Sequence, residues 1–288
     1  MMMRPIIVLG LAGAFLAITV HCGAEAKKKK QPEVAQVAPI DLTALDEAIR
    51  ANRLVQAKTL LEQSQLARQS GPMLDLLKAE YDLARGQNDV ALAGFRLLVA
   101  DIGVGARAHQ GAGIASIRIN RIDDALGHLS AATKADGSLW RAWSALGVAY
   151  DLKRNWQAAE AAYASGVAVR PNAGEILANR GYSRLLQKRF PEALHDLKQA
   201  HGMLPGNERI ETNLRLALAL NGSYDDAIGI SASDTELVKN LNNAGYAAWL
   251  QGDFVAARAY LSRAMEISDV YYDRAANNLA AVNAASGK

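Results

Sequence analysis

The sequence predicts an all-α protein: a right-handed superhelical solenoid of about seven helix pairs closed by a C-terminal capping helix. Three observations predict it. Residues 140–173 fill nearly every slot of a 34-residue helix–turn–helix unit. One small residue of that unit then recurs at the same spacing along most of the chain. Composition agrees, because half of the 288 residues are hydrophobic while only 6% are aromatic, a balance suited to closely packed helices.

Counting Trp140 as position 1 of that unit, Trp143 stands at position 4, Leu146 at 7, Gly147 at 8 and Tyr150 at 11. Ala159 stands at 20, Tyr163 at 24, Gly166 at 27 and Pro171 at 32. Bulky groups at 4, 7, 11 and 24 fill the space between two helices, and small residues at 8, 20 and 27 let the helices touch. The proline at 32 closes the second helix because it has no N–H to continue the ladder. These slots are the tetratricopeptide (TPR) signature. Position 20 carries Ala57, Ala91, Ala125, Ala159, Ala193 and Ala227, each 34 residues apart, and Ala257 follows after 30. The units therefore run over residues 38–71, 72–105, 106–139, 140–173, 174–207, 208–237 and 238–271, with the sixth four residues short. A stack of this kind is one continuous unit, so length alone does not impose a second domain.

The chain opens with a short basic stretch (residues 1–4) and an apolar run over residues 6–20, too short to span a bilayer comfortably and expected to be a signal peptide. Two exits follow it. Ala24-Glu25-Ala26 has the small-x-small form of an ordinary cleavage site, giving a leader of residues 1–26. Alternatively Cys22, the only cysteine, stands where a lipoprotein signal carries its lipid, giving a leader of 1–21; His21 before it is bulkier than such sites usually hold. Either exit takes the protein out of the cytoplasm, and a single cysteine excludes an intrachain disulfide. Residues 27–40, with Lys27 to Lys30 and two prolines, are expected to be a tether. The first 30 residues hold five of the 32 basic residues and one of the 29 acidic ones, so the remainder carries a net charge of −1 and offers no bulk attraction to nucleic acid.

The array begins at Asp41, an expected N-cap, with helices over 41–52 and 54–67. The turns inside later pairs are marked by Gly86-Gln87-Asn88-Asp89, Asn120-Arg121, Lys153-Arg154-Asn155, Lys188-Arg189, Asn221-Gly222-Ser223 and Gln251-Gly252-Asp253. Pro191 falls at a helix start, where its missing N–H costs nothing. The shortened sixth unit has Ser231-Ala232-Ser233-Asp234 in place of its closing proline, and a kink or frayed helix is expected there. A last helix over 272–285, with a polar tail, is the expected cap.

No catalytic motif, phosphate loop or dinucleotide fingerprint is present. His109, His128, His195 and His201 are expected to lie apart with no ligand partner at helical spacing, so neither a metal nor another cofactor is expected. The array and cap occupy nearly all of the mature chain, and no enzymatic activity is expected. The informative surface is the concave one, lined by the first helix of each pair through positions 2, 5, 6, 9 and 12. Position 6 carries Asn179, Asn213, Asn243 and Asn277 in four successive units. A carboxamide donates and accepts, so a row of them can grip an extended peptide backbone; the same asparagines can instead bond to neighbouring backbone. Arg209 and Lys239 at position 2, Tyr182 and Tyr246 at position 9 and Trp249 at position 12 complete the candidate groove. Tyr182 and Trp249 also suit ordinary packing between units.

The run NERIETNLRLALALNGSYDDAIGI, followed by LNNAGYAAWLQGDFVAARAYLSRAMEISDVYYDRAANNL, resembles the TadD family, TPR proteins of the bacterial tight-adherence (Tad/Flp) pilus assembly system. The resemblance covers about residues 139–279. It implies an exported protein, typically a lipoprotein, that helps an outer-membrane secretin or associated lipoproteins to assemble, with a membrane contact only through a lipid on Cys22. A general periplasmic chaperone or envelope adaptor using the same groove is the alternative.

Overall fold

The computed structural model describes residues 37–229, 233–268 and 272–286. Cys22, the leader and the lysine run lie outside the described residues. Among those described, every regular element is helical. The pairs are α1 (Leu42–Arg50) with α2 (Leu54–Leu66), α3 (Pro72–Ala84) with α4 (Asn88–Arg96), and α5 (Gly105–Arg118) with α6 (Ile122–Ala135). They continue as α7 (Trp140–Leu152) with α8 (Trp156–Val169), α9 (Gly174–Leu186) with α10 (Phe190–Met203), α11 (Glu208–Leu220) with α12 (Tyr224–Gly229), and α13 (Asp234–Leu250) with α14 (Phe254–Ile267). The cap is α15 (Asp273–Ser286). None of these helices is long and apolar enough to cross a membrane.

Each turn inside a pair is built the same way. The residue at position 15 takes a left-handed conformation in all seven units: Asn52, Gly86, Asn120, Arg154, Lys188, Gly222 and Gly252, with φ between 56° and 81°. The next residue's N–H then reaches back five residues, as from Arg53 to Ala48, Asn155 to Tyr150 and Asp253 to Ala248, at 2.8–2.9 Å. This is the Schellman closure, which satisfies carbonyls the helix end leaves open. Side chains add caps where chemistry allows. Asp41 accepts from the Thr43 N–H, Asn155 from Ala158 and Asp253 from Ala256, and Pro191 stands in the first turn of α10 as expected.

Packing follows the repeat. The alanines at position 20 are all buried, none more than 3% exposed. Opposite them, position 8 meets position 24. A Cβ added to Gly147 would lie 2.5 Å from the Tyr163 ring, one on Gly181 2.7 Å from Leu197, and one on Gly245 2.6 Å from Leu261. Those separations are below any real contact, so glycine is required for the helices to approach. Leu129, Leu197 and Leu261 are fully buried there, each stabilising by about 1.5–3 kcal/mol. In the second unit Ala79 replaces the glycine, and the Phe95 ring lies instead against Gly111 of the next unit.

Odd-numbered helices each touch the next odd-numbered helix, forming a continuous inner layer. Among the described residues, the backbone of an even-numbered helix packs against its own partner and the following odd one. Side chains also link even-numbered helices, Arg96 of α4 to Asp124 of α6 and Tyr260 of α14 to Asp225 of α12. Two units depart from the pattern. Helix α4 ends at Arg96, after which the Asp101 carboxylate accepts from the N–H groups of Gly103 and Val104 at 2.8 and 3.0 Å. In the sixth unit α12 has only six residues, and α13 starts at Asp234, making it 17 residues long. Ser233 caps it by accepting from the Glu236 N–H. The expected kink falls partly on residues 230–232, outside those described. The cap docks through Ala275 and Val282, both fully buried against the last pair.

Arg154 and Lys188 hold a backbone conformation that disfavours side chains, at a cost of about 1–2 kcal/mol, part of which glycine's unfolded-state entropy returns. Arg154→Gly and Lys188→Gly are each expected to stabilise the chain by about 0.5–1 kcal/mol in urea unfolding. Ala193→Leu, which overfills the pair contact, is expected to destabilise it by about 1–3 kcal/mol.

Candidate partner-binding groove

The inner layer presents position 2 of successive odd-numbered helices to one surface: Arg107, Arg141, Glu175, Arg209 and Lys239. Two hollows open along it. The first, about 370 Å³, spans α5 to α11 and brings together Arg118, Trp140, Arg141, Glu175, Asn179 and Arg209, with Ile114, Ile117 and Val148 as apolar wall. The second, about 690 Å³, lies between α11 and α13. Its rim includes Glu208, Glu211, Arg215, Lys239, Asn243 and Tyr246. A smaller hollow of about 180 Å³ adjoins the first and shares Ile114, Arg118 and Arg141 with it.

Several charges on the helices around these hollows are matched by partners within the chain. Arg107 bridges Glu80 at 2.7 Å and Asp46 at 2.8 Å, tying α5 to α3 and α1. Burial pushes the Glu80 carboxyl above its ordinary range despite Arg107. Asp46 is less enclosed, and hydrogen bonds from Arg50 and Arg107 outweigh burial and hold it low. Asp196 of α10 is fully buried and accepts from both Arg180 and Arg184 at 2.8 Å, while Glu160 of α8 takes Arg184 and Arg189. Asp151 accepts from the Tyr163 hydroxyl at 2.8 Å and the Ser183 hydroxyl at 2.7 Å, linking α7, α8 and α9. Burial, then the two hydrogen-bonded groups' opposing pull, leaves the Asp151 carboxyl raised. Helix ends are also tied across units, by Arg118 to the Leu83 carbonyl at 2.6 Å and Gln251 to the Ala219 carbonyl at 3.1 Å.

The position-6 asparagines do not form one row. Asn179 sits in the first hollow, donating to the Ser144 hydroxyl at 3.0 Å and accepting from Arg209 at 3.2 Å, so its carboxamide links three consecutive inner helices. Asn243 is exposed on the second hollow with Lys239 and Tyr246. Asn213 is half-buried and lines neither hollow, and Asn277 is exposed on the cap. The asparagines that do bond between units at the C-terminal end are different ones: Asn278 donates to Asn242 at 3.0 Å. Tyr182 is 46% exposed on α9. Trp249 packs against the core of the last units, with Tyr246 edge-on at a centroid distance of 5.6 Å.

The histidines correct one expectation. His109 and His128 both belong to the third unit, and the pairing of α5 with α6 brings their Nδ1 atoms to 3.0 Å. Position 4 faces position 23 across a pair, a relation that spacing within one helix does not show. Burial lowers both pKa values, and His109 and Arg96 lower His128 further against the opposing pull of Asp124. His195 instead meets Gln199 at 2.9 Å. Among the described residues no group of three or more His, Cys, Asp or Glu side chains is placed to hold a metal ion. Sequence reasoning also passed over Arg141 and Trp140 as groove residues. The position-2 rule that selects Arg209 and Lys239 selects Arg141 equally.

No family model matches the sequence, and no curated protein matches it. Solved TPR structures do match in fold. A thermophilic TPR protein of Thermus thermophilus, TTC0263, is 21% identical, with a TM-score of 0.55 over 62% of this chain and 96% of that one. YrrB, described as a TPR protein with an unusual peptide-binding site, is 17% identical, with a TM-score of 0.50 over 64% of this chain and 96% of that one. A chain of the APC/C hetero-tetramer Cut9–Hcn1 is 13% identical at a TM-score of 0.53. There 85% of this chain is covered, and it spans only about half (49%) of the other. The chain is thus an all-helical TPR solenoid.

Removing the Asp196 carboxylate leaves two enclosed guanidiniums without it, so Asp196→Ala is expected to cost about 3–5 kcal/mol in unfolding measurements. The histidine pair gives a pH signature. Its folded pKa values lie below the unfolded one, so its contribution is fully present above the unfolded value of about 6.5 and is lost as pH falls through the folded values. Acidification from neutral pH is expected to destabilise the chain in that window. His109→Gln with His128→Gln is expected to flatten that part of the profile in thermal melts at stepped pH.

Proposed function

We propose that the chain is an exported, non-enzymatic scaffold that holds segments of other envelope proteins along its inner helical layer. The observation that carries this reading is the pair of hollows on that layer, each combining charged, amide and aromatic side chains over several successive units. Such a surface suits an extended segment held by several modest contacts at once. The peptide-binding site named for YrrB and the hetero-tetramer of Cut9–Hcn1 lend support by likeness of fold.

The resemblance of residues 139–279 to the TadD family narrows the proposal to the assembly of tight-adherence (Flp) pili, with the outer-membrane secretin or its associated lipoproteins as partners. The apolar run and its two exits support export to the periplasm, either free after cleavage behind Ala26 or anchored to the outer membrane through Cys22.

The test is affinity capture of the tagged, exported protein from envelope extracts, together with the intact mass of the mature form. Recovery of a secretin or pilus-assembly lipoproteins is the expected result, and a diacylated Cys22 would fix the anchor. A mixed set of unfolded clients without pilus components would overturn it in favour of a general periplasmic chaperone. Asn243→Ala is expected to reduce capture several-fold with an unchanged helical melt, since Asn243 is exposed and holds only a 3.4 Å contact from Asn242. A strong shift in the melt would instead assign that residue to the packing of the stack.

A further inference from the structure

The arginines of the inner layer are not equivalent. Arg107, at position 2 of the third unit, has two carboxylates within 2.8 Å. Arg141 holds the same position one unit later and is half-buried, yet no carboxylate lies within ion-pair distance of it among the described residues. Its contact is with an indole: the guanidinium carbon stands 4.6 Å from the Trp140 ring centroid, and Arg170 stands 5.3 Å from the same ring. Burial, then the field of Arg50, disfavours its charge; Glu175 and Arg170 follow with opposite signs.

Its neighbours leave the excess uncancelled. The first hollow collects three guanidiniums, from Arg118, Arg141 and Arg209, against the one carboxylate of Glu175, which is exposed. Arg118 and Arg209 are hydrogen-bonded, but to neutral acceptors, the Leu83 carbonyl and the Asn179 carboxamide. Such bonds orient a guanidinium without neutralising it. The second hollow has the opposite balance, three glutamates against Arg215 and Lys239, and Arg215 is paired with Glu236. The groove therefore changes sign between α7 and α13.

We propose that the first hollow receives a carboxylate side chain from an acidic segment of a partner protein, with Arg141 as its principal cation. The inference rests on the scaffold reading and names the chemistry of its partner. A carboxylate there supplies the countercharge that Arg141 lacks, while Arg118 and Arg209, already oriented, add donors around it. Ile117 and Val148 offer apolar surface to the stem of a glutamate or to an adjacent aliphatic residue. Planarity matters as well as charge, because the guanidinium lies on Trp140 and a lysine there would not.

The experiment is titration of the purified full chain with a short synthetic peptide of alternating glutamate and leucine, and with the same peptide carrying glutamine. Calorimetry and tryptophan fluorescence report binding. The glutamate peptide is expected to bind at least about tenfold more tightly, the size of a charge-assisted hydrogen bond. That preference should fall with added salt, disappear in Arg141→Gln and be only partly kept in Arg141→Lys. Arg141→Gln should fold, because it removes a charge without removing an ion pair, and its melt is the control. Equal binding of the two peptides would overturn the carboxylate site while leaving the groove as a peptide surface. Binding of neither peptide would overturn it too, and envelope capture with the Asn243→Ala variant then decides the scaffold reading separately.

Discussion

The stack depends on how closely the two helices of a pair can approach. Where position 8 is glycine, no side chain fits between the helices: Gly147 faces the Tyr163 ring, and Gly181 and Gly245 face leucines at distances that exclude even a methyl group. The buried alanine at position 20 and the left-handed residue at position 15 serve the same end. One keeps the second helix thin where it crosses, and the other turns the chain in the fewest residues. With that approach fixed, each following unit meets a surface of constant shape, and one repeating interface propagates the fold.

The departures show how much the constraint tolerates. In the second unit Ala79 carries the methyl that glycine avoids elsewhere, and the space is recovered one unit onward, where Gly111 accommodates Phe95. In the sixth unit the second helix is cut to six residues, and α13 extends toward its N-terminus to 17. Both compensations cross a unit boundary. Sequence deviations in this array are therefore absorbed by neighbours rather than within the unit that carries them.

This explains what could be read from the chain and what could not. Helix pairs, turns, the alanine ladder, the Asp41 cap and the final helix follow from local spacing, and each was legible. Contacts between helices were less so. His109 and His128 meet because position 4 faces position 23 across the pair. Asp196 lies beneath Arg180 and Arg184 because α9 and α10 cross there. The position-6 asparagines follow the register, but whether a carboxamide faces solvent or a neighbour depends on residues in adjacent units. Ser144 and Arg209 engage Asn179, whereas Asn243 remains exposed.

Charge pairing distinguishes support from recognition along the inner layer. A guanidinium withdrawn from water without an opposite charge is costly, and the chain avoids that cost almost everywhere: Arg107, Arg180, Arg184 and Arg215 each have carboxylates at close range. Those pairs hold helices of different units together. Arg141 contributes no such tie, since its contact is with Trp140, the residue beside it in its own helix. It adds no ion pair to the cohesion of the stack. A surface that leaves one half-enclosed cation unneutralised, between two hydrogen-bonded ones, has the electrostatic character of a binding site before its ligand arrives.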